Sequence, residues 1–286
     1  SGKTKLSINI AQHFNCKIIN ADSRQLYKEL QIGSAAPTKE ELKLAKHYFV
    51  GNLSINENYN VFKYEQDVNN LLNKIFTNEN IAILTGGSGL YINAVCYGID
   101  ELPDPSPALR KSLQTKYKKE GIESIKTDLK LLDPDYYNKV DLNNPNRIIR
   151  AIEVCITSGQ QYSKLRLNKI KERPYRILKI GIETERKELH SRINERVEKM
   201  ISEGLVNEVK SLLPWRNYNA LNTVGYKEIF MYLDGKISLN EAIEKIKTNT
   251  RRYARRQITW FKKDKDIHWF KIEEETKIID LIKTYL

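Results

Sequence analysis

Ser1-Gly2-Lys3-Thr4 is the second half of a phosphate-binding loop of the form G-x-x-x-x-G-K-[ST]. In such a loop backbone N–H groups cradle phosphates, the lysine reaches the outer phosphates and the hydroxyl can ligate Mg²⁺. The first glycine of the pattern, and the buried strand that normally precedes it, are not among these residues, so the chain reads as lacking its native first strand. Four residues of this kind can also be a flexible glycine-containing terminus, and their neighbours in the chain decide between the two. Leu6, Ile10 and Phe14 recur at helical spacing, and residues 16–21 then read as a short strand. The loop therefore sits at a helix N-terminus, where the dipole and free N–H groups favour anions. A polyphosphate or diphosphate is the expected ligand, held by Ser1, Gly2, Lys3 and Thr4, with Thr4 as the hydroxyl that meets the metal.

Two further segments carry chemistry. Asn20-Ala21-Asp22-Ser23-Arg24-Gln25 follows the first strand directly, and ligands of open α/β sheets collect beyond the carboxyl ends of strands. Asp22 is then placed beside the phosphate loop, as a base or a metal ligand, although an aspartate there could equally cap a turn. Thr85-Gly86-Gly87-Ser88-Gly89 ends the next strand with three glycines and a hydroxyl, where backbone must turn sharply or approach something closely. Near the C-terminus, Arg251-Arg252-Tyr253-Ala254-Arg255-Arg256 sets arginines at i,i+4 in two adjacent rows, a stripe suited to phosphates. The stripe could also be an exposed basic helix whose Ile258, Trp260 and Phe261 dock on the core.

These residues need a scaffold, and the alternation of periods supplies one. A strand at 17–21, helices at 39–47 and 61–77, a strand at 81–84 and a helix at 88–97 make an α/β pattern with a parallel sheet. Three prolines between Pro103 and Pro107 break it. From about 108 to 170 apolar positions such as Leu129, Leu132, Ile148, Ile152 and Cys155 follow helical spacing. A strand at 175–182 is expected to return to the sheet, with helices up to about residue 264. The expected fold class is α/β: a P-loop NTPase-like parallel-sheet core, residues 1–101 and 171–286, with an inserted all-helical domain, 102–170, and a helical C-terminal part.

Composition narrows the partners. The 48 Lys and Arg against 36 Asp and Glu give a formal charge of +12, which favours a polyanion such as nucleic acid, and no amphipathic membrane anchor stands out. Cys16, Cys96 and Cys155 are far apart and follow no metal-binding spacing, so they read as packed thiols of a reducing, cytoplasmic protein. No run reaches the length of a membrane-spanning helix.

Taken together, S-G-K-T, I-I-N-A-D-S-R-Q-L-Y-K-E-L-Q-I-G-S-A-A-P-T, L-T-G-G-S-G-L-Y, R-I-I-R-A-I-E-V, V-G-Y-K-E and T-R-R-Y-A-R-R-Q-I-T-W-F resemble one family across essentially the whole chain. It is that of the tRNA dimethylallyltransferases, the tRNA isopentenyltransferases of the P-loop fold. The resemblance implies transfer of a dimethylallyl group from dimethylallyl diphosphate to the exocyclic amine of the adenosine 3′ of the tRNA anticodon, with Mg²⁺ as cofactor and Asp22 as the base. It implies that Arg196 reaches the diphosphate. Ser23, Arg24, Gln25, Ser88, Arg110, Asn146, Arg147, Ile148, Ile149, Arg150, Asn222, Gly225, Tyr226 and Lys227 match the family's tRNA contacts, to which the stripe adds Arg251 and Arg255. The expected partner is the tRNA anticodon arm, met by a cytoplasmic monomer with no membrane association.

Some positions depart from the family. The front of the phosphate loop, G-P-T, is absent, so a protein limited to these residues should bind diphosphate poorly. Ser88 stands for the usual threonine and keeps the hydroxyl, and Asn143-Asn144-Pro145-Asn146 departs from H-P-N-D. No zinc finger follows Trp269, which suits a bacterial-type member. Three rivals stay open on sequence: an adenylate isopentenyltransferase acting on free nucleotide, a small-molecule kinase, and a non-catalytic RNA-binding protein.

Overall fold

In the computed structural model, which describes residues 2–286, three short parallel strands form one sheet: β1 (Lys17–Asn20), β2 (His47–Tyr48) and β3 (Ala82–Thr85), in the order β2-β1-β3. Ile18 aligns with His47 on one side and Ile83 on the other. β1 reads as a continuous apolar run because it is the central strand, covered on both faces, and Ile18 and Ile19 are fully buried. The sequence pattern did not show β2, which is only two residues long.

β4 (Lys179–Glu183) begins later than the sequence suggested and, among the described residues, pairs in parallel with β5 (Ile267–Lys271) instead of rejoining β1–β3. Tyr175, expected in the strand, lies before it and donates its hydroxyl to Asn69 Oδ1 at 2.8 Å. The helix Lys3–Phe14 serves both sheets. Its Ile8 and Ala11 pack with Ile18 and Ile83, while Leu6 and Ile10 pack with Ile180, Ile182 and Phe270. The residues just after the phosphate loop are therefore core, which fixes where the loop points.

The rest of this unit is helical. Val61–Ile75 starts at Asn60, whose side chain accepts from Lys63 N, and it buries Tyr64, Val68 and Leu72. The long helix Leu239–Phe261 begins in a capping box, with Ser238 and Glu241 satisfying each other's backbone N–H groups. Among the described residues, no helix is long and apolar enough to cross a membrane.

The chain divides into two compact units, one formed by residues up to Cys96 together with Arg173–Leu286, the other by Tyr97–Glu172. The two ends of the second are tied: Lys171 N donates to Tyr97 O at 2.8 Å and Asn168 N to Asp100 Oδ2 at 2.8 Å. Its helices Pro107–Glu120, Ile122–Leu132 and Pro145–Ser158 enclose Leu113, Ile125, Leu129, Ile148 and Ile152. Glu153 is buried there and holds Arg110 through two bonds of 2.8 and 2.9 Å, with Arg150 at 3.8 Å.

Candidate active site

The ends of β1 and β3 are stitched together. Ala21 N donates to Thr85 O at 2.7 Å and Ser88 N to Ala21 O at 3.1 Å. The two backbones come so close that a Cβ on Gly86 would overlap Ala21, so this position has to be glycine. The turns beyond are joined as well: Ser23 N donates to Ser88 Oγ at 2.9 Å, and Ser88 Oγ donates to Ser23 Oγ at 3.1 Å. This is the work of the hydroxyl at Ser88.

Asp22 is held at the head of this structure. Its N–H donates to Asn20 Oδ1, and its Oδ1 accepts from Arg24 N at 3.0 Å. That is a turn-capping bond, and it uses one carboxylate oxygen only. Among the described residues Oδ2 accepts no hydrogen bond; it lies 3.4 Å from where a Cβ on Gly87 would stand. Asp22 thus caps its turn with one oxygen and offers the other to the space between the strand ends.

Two cations face that carboxylate. Gly2 caps the helix Lys3–Phe14 in the left-handed region (φ 74°), and a Cβ there would also overlap the Ile272 side chain. Lys3 comes next, its pKa lowered chiefly by lost hydration, raised in part by Asp22 and lowered again by Arg196. The Arg196 pKa is lowered by the same desolvation and raised by Asp22. As a residue Arg196 is exposed, and it remains a cation throughout the physiological range. Among the described residues neither Lys3 nor Arg196 has an ion-pair partner within contact distance. Arg192, one turn earlier, does have one, Glu188 at 2.5 Å, and its Nη1 lies 3.8 Å from the Cβ position of Gly2. Ser1 lies outside the described residues.

Thr4 sits in the first helical turn. Among the described residues, no group of three His, Cys, Asp or Glu side chains could hold a metal by itself. A site that supplies one hydroxyl and leaves the remaining ligands to phosphate oxygens and water suits Mg²⁺, which keeps much of its hydration. The three cysteines take no part: all are buried, and burial raises Cys16 and Cys96 to about 11 and raises Cys155 too.

The expected RNA-binding residues fall into three groups. Ser23, Arg24, Gln25 and Ser88 adjoin Asp22. Gln25 Nε2 donates to Ser34 O and Ala35 O, and Arg24 Nη1 to Asn219 O at 3.0 Å. Asn146, Arg147, Asn222, Lys227 and Arg255 are exposed; Arg110 and Arg150 are held by Glu153 in the helical unit. The third group is covered. Ile148 (0% exposed), Ile149 (7%) and Tyr226 (0%) are core side chains, Gly225 is buried, and Arg251 turns inward to Asn194 and Thr248 at 2.8 and 2.9 Å. In this conformation the Ile148, Ile149 and Tyr226 side chains support the surface from beneath, and Arg251 is half-buried with its guanidinium taken up by Asn194 and Thr248.

Two positioning residues were given no role from the sequence, although Gln257 lies within the T-R-R-Y-A-R-R-Q-I-T-W-F segment. Glu208 accepts from the N–H groups of Gln31, Ile32 and Gly33 at 3.0, 2.7 and 2.9 Å and from the Tyr226 hydroxyl at 2.6 Å. Gln257, within the arginine-rich helix, donates to Gly87 O at 2.7 Å. Both are ordinary helical residues until the chain folds.

A carboxylate and two cations gathered beyond parallel strand ends, with a phosphate-binding loop at a helix N-terminus, define a P-loop-type α/β protein that handles a phosphorylated ligand. The family model for IPP transferase matches residues 25–264, and the chain belongs to that family. It is 50% identical over 282 residues to the tRNA dimethylallyltransferase 1 of Bacteroides thetaiotaomicron, covering 99% of this chain and 92% of the relative. Among solved structures it is similar to the tRNA isopentenylpyrophosphate transferase of Bacillus halodurans, with 32% identity, 99% and 92% of the two chains covered and a TM-score of 0.71. A eukaryotic dimethylallyltransferase acting on tRNA shares the fold at a TM-score of 0.74 and 24% identity, over 94% of this chain and 71% of that one.

Proposed function

We propose that this protein transfers a dimethylallyl group from dimethylallyl diphosphate to the N6 amine of the adenosine 3′ of the anticodon in tRNA, releasing diphosphate. The observation that carries the reading is a juxtaposition: among the described residues Lys3 and Arg196 lack counter-anions in contact and face Asp22, whose Oδ2 is free to accept a proton. The two ends of one displacement need these groups.

Adenine's exocyclic amine is a weak nucleophile because its lone pair is delocalised into the ring, so proton removal has to accompany bond formation. As N6 bonds to C1 of the prenyl group, the C1–O bond breaks, the electron pair leaves with the diphosphate, and the N6 proton passes to Asp22 Oδ2. Lys3, Arg196 and the N–H groups at the helix N-terminus take up the charge that develops on the leaving oxygens. Thr4 is the residue that would hold Mg²⁺, which when bound adds positive charge at the same diphosphate. Because the target base must leave its stack to reach Asp22, the RNA is engaged at its single-stranded loop. The protein is read as a cytoplasmic monomer.

The test incubates full-length protein with Mg²⁺, dimethylallyl diphosphate and unmodified tRNA, then digests the RNA and seeks dimethylallyl-adenosine by mass spectrometry. Asp22→Asn should lower turnover by about 10² to 10⁴-fold while tRNA is still bound. Bound tRNA without product from the wild type would reject the reading.

A further inference from the structure

One face of the helix Leu239–Phe261 is not absorbed by the roles above. Tyr253, Gln257 and Trp260 stand at i, i+4 and i+7 and so share a side. Gln257 fixes that side to the loop after β3 through its 2.7 Å bond to Gly87 O. The Trp260 indole is set against Gly89, where a Cβ would come within 2.9 Å of Cε2. Asp22 adjoins the same loop, with Oδ2 3.4 Å from the Cβ position of Gly87.

Tyr253 lies one turn from Gln257 and has no pocket to fill. It is 41% exposed, with the Arg256 guanidinium 5.9 Å from its ring centroid. Its hydroxyl end is nonetheless crowded: the phenol pKa is raised by lost hydration first and by the Asp22 charge second, against smaller lowering effects from Gln257, Arg24 and Arg256. An exposed ring with the Arg256 guanidinium near it, one turn from the residue that holds the loop adjoining Asp22, offers a stacking surface that the protein core does not use. Trp260 is exposed to a similar extent, 40%, but is already set against Gly89.

We propose that Tyr253 is the stacking platform for the RNA base presented to Asp22. The inference rests on the RNA-prenylating function proposed above and adds the residue that holds the base. A nucleobase drawn out of its strand loses its stacking neighbours, and aromatic side chains replace that contact. Tyr253 supplies the π-face, Arg256 adds cation–π character to the ring, and Gln257, one turn on, ties the helix to the loop that Asp22 adjoins.

The experiment is a coupling measurement in binding. An anticodon-arm RNA hairpin carrying either adenosine or an abasic site at the target position is titrated with wild type, Tyr253→Phe and Tyr253→Ala. Wild type and Tyr253→Phe should lose roughly 5- to 150-fold in affinity when the base is removed. Tyr253→Ala should bind the adenosine hairpin weakly by a similar factor and be nearly indifferent to the missing base. Equal losses on base removal in wild type and Tyr253→Ala would overturn the proposal, because the ring would then touch something else. A raised KM for dimethylallyl diphosphate with an unchanged KM for RNA would overturn it too, placing the ring on the prenyl group. The proposed function fails on a separate readout, the absence of dimethylallyl-adenosine from the wild type.

Discussion

A lysine and an arginine with no counter-anion in contact, near a carboxylate that keeps one oxygen unbonded among the described residues, form a site under electrostatic tension, and Lys3 is where that tension can be measured. Its pKa in the folded protein is below the ordinary value of about 10.4 because burial strips hydration from the ammonium and Arg196 repels it, with Asp22 only partly compensating. Between the folded and unfolded pKa values the unfolded chain binds more protons. The cost of a charged Lys3 is therefore fully present below the folded pKa and disappears as pH rises to the unfolded one. A bound diphosphate reverses the balance by supplying counter-charge, so binding takes up a proton in that window. Affinity for inorganic diphosphate should fall as pH rises through the lowered pKa of Lys3. Lys3→Arg should delay the fall, since a guanidinium does not titrate there. Calorimetric titration of both proteins across pH checks this; superimposable profiles would take Lys3 out of the site.

At the scale of elements, the loop after Tyr27 depends on a single carboxylate. Glu208 gathers three consecutive backbone N–H groups and the Tyr226 hydroxyl, and the next carbonyls, Ser34 O and Ala35 O, hold the Gln25 amide. Glu208→Ala leaves four donors without their acceptor and should cost about 2 kcal/mol or more, with Glu208→Gln milder because its amide oxygen still accepts. Urea unfolding gives the stability, and hydrogen exchange at Gln31, Ile32 and Gly33 localises it; unchanged exchange in Glu208→Ala would show that water replaces the carboxylate without loss. Such supports are what sequence conceals. Asp22 and the glycines of residues 86–89 were legible because strand-end position and residue type both point to a site. Glu208 and Gln257 are common helical residues whose partners lie 175 and 170 positions away, at Gly33 and Gly87. β5 was missed because Ile267-His268-Trp269-Phe270-Lys271 carries no clean alternation, its register being set by pairing with β4. Arg251 and Arg255 are one residue type at i,i+4, and only the packing of the helix against Asn194 separates the inward one from the exposed one.

For the whole molecule, a charge of +12 means that association with a polyanion has a large salt-dependent part, and the long helix shows which charges are placed to contribute. Arg252, Arg255 and Arg256 are exposed, whereas the Arg251 fork is occupied by Asn194 Oδ1 and Thr248 Oγ1. A phosphate contact releases counterions, so each lost contact should flatten the dependence of log affinity on log salt by about 0.7 to 0.9. Arg252→Ala with Arg255→Ala should thus reduce the slope by roughly 1.5 and weaken binding to every tRNA sequence alike, because phosphates carry no sequence. Arg251→Ala makes the contrasting case: it removes as much formal charge as either single change, yet the slope should barely move, and the loss should appear as lower thermal stability from two broken side-chain bonds. Filter binding of unmodified tRNA over a salt series, with thermal melts of the same variants, separates the two. If Arg251→Ala flattens the slope as much as Arg255→Ala, the helix is acting through overall charge, not through a face, and the exposed arginines have no special place in the interface.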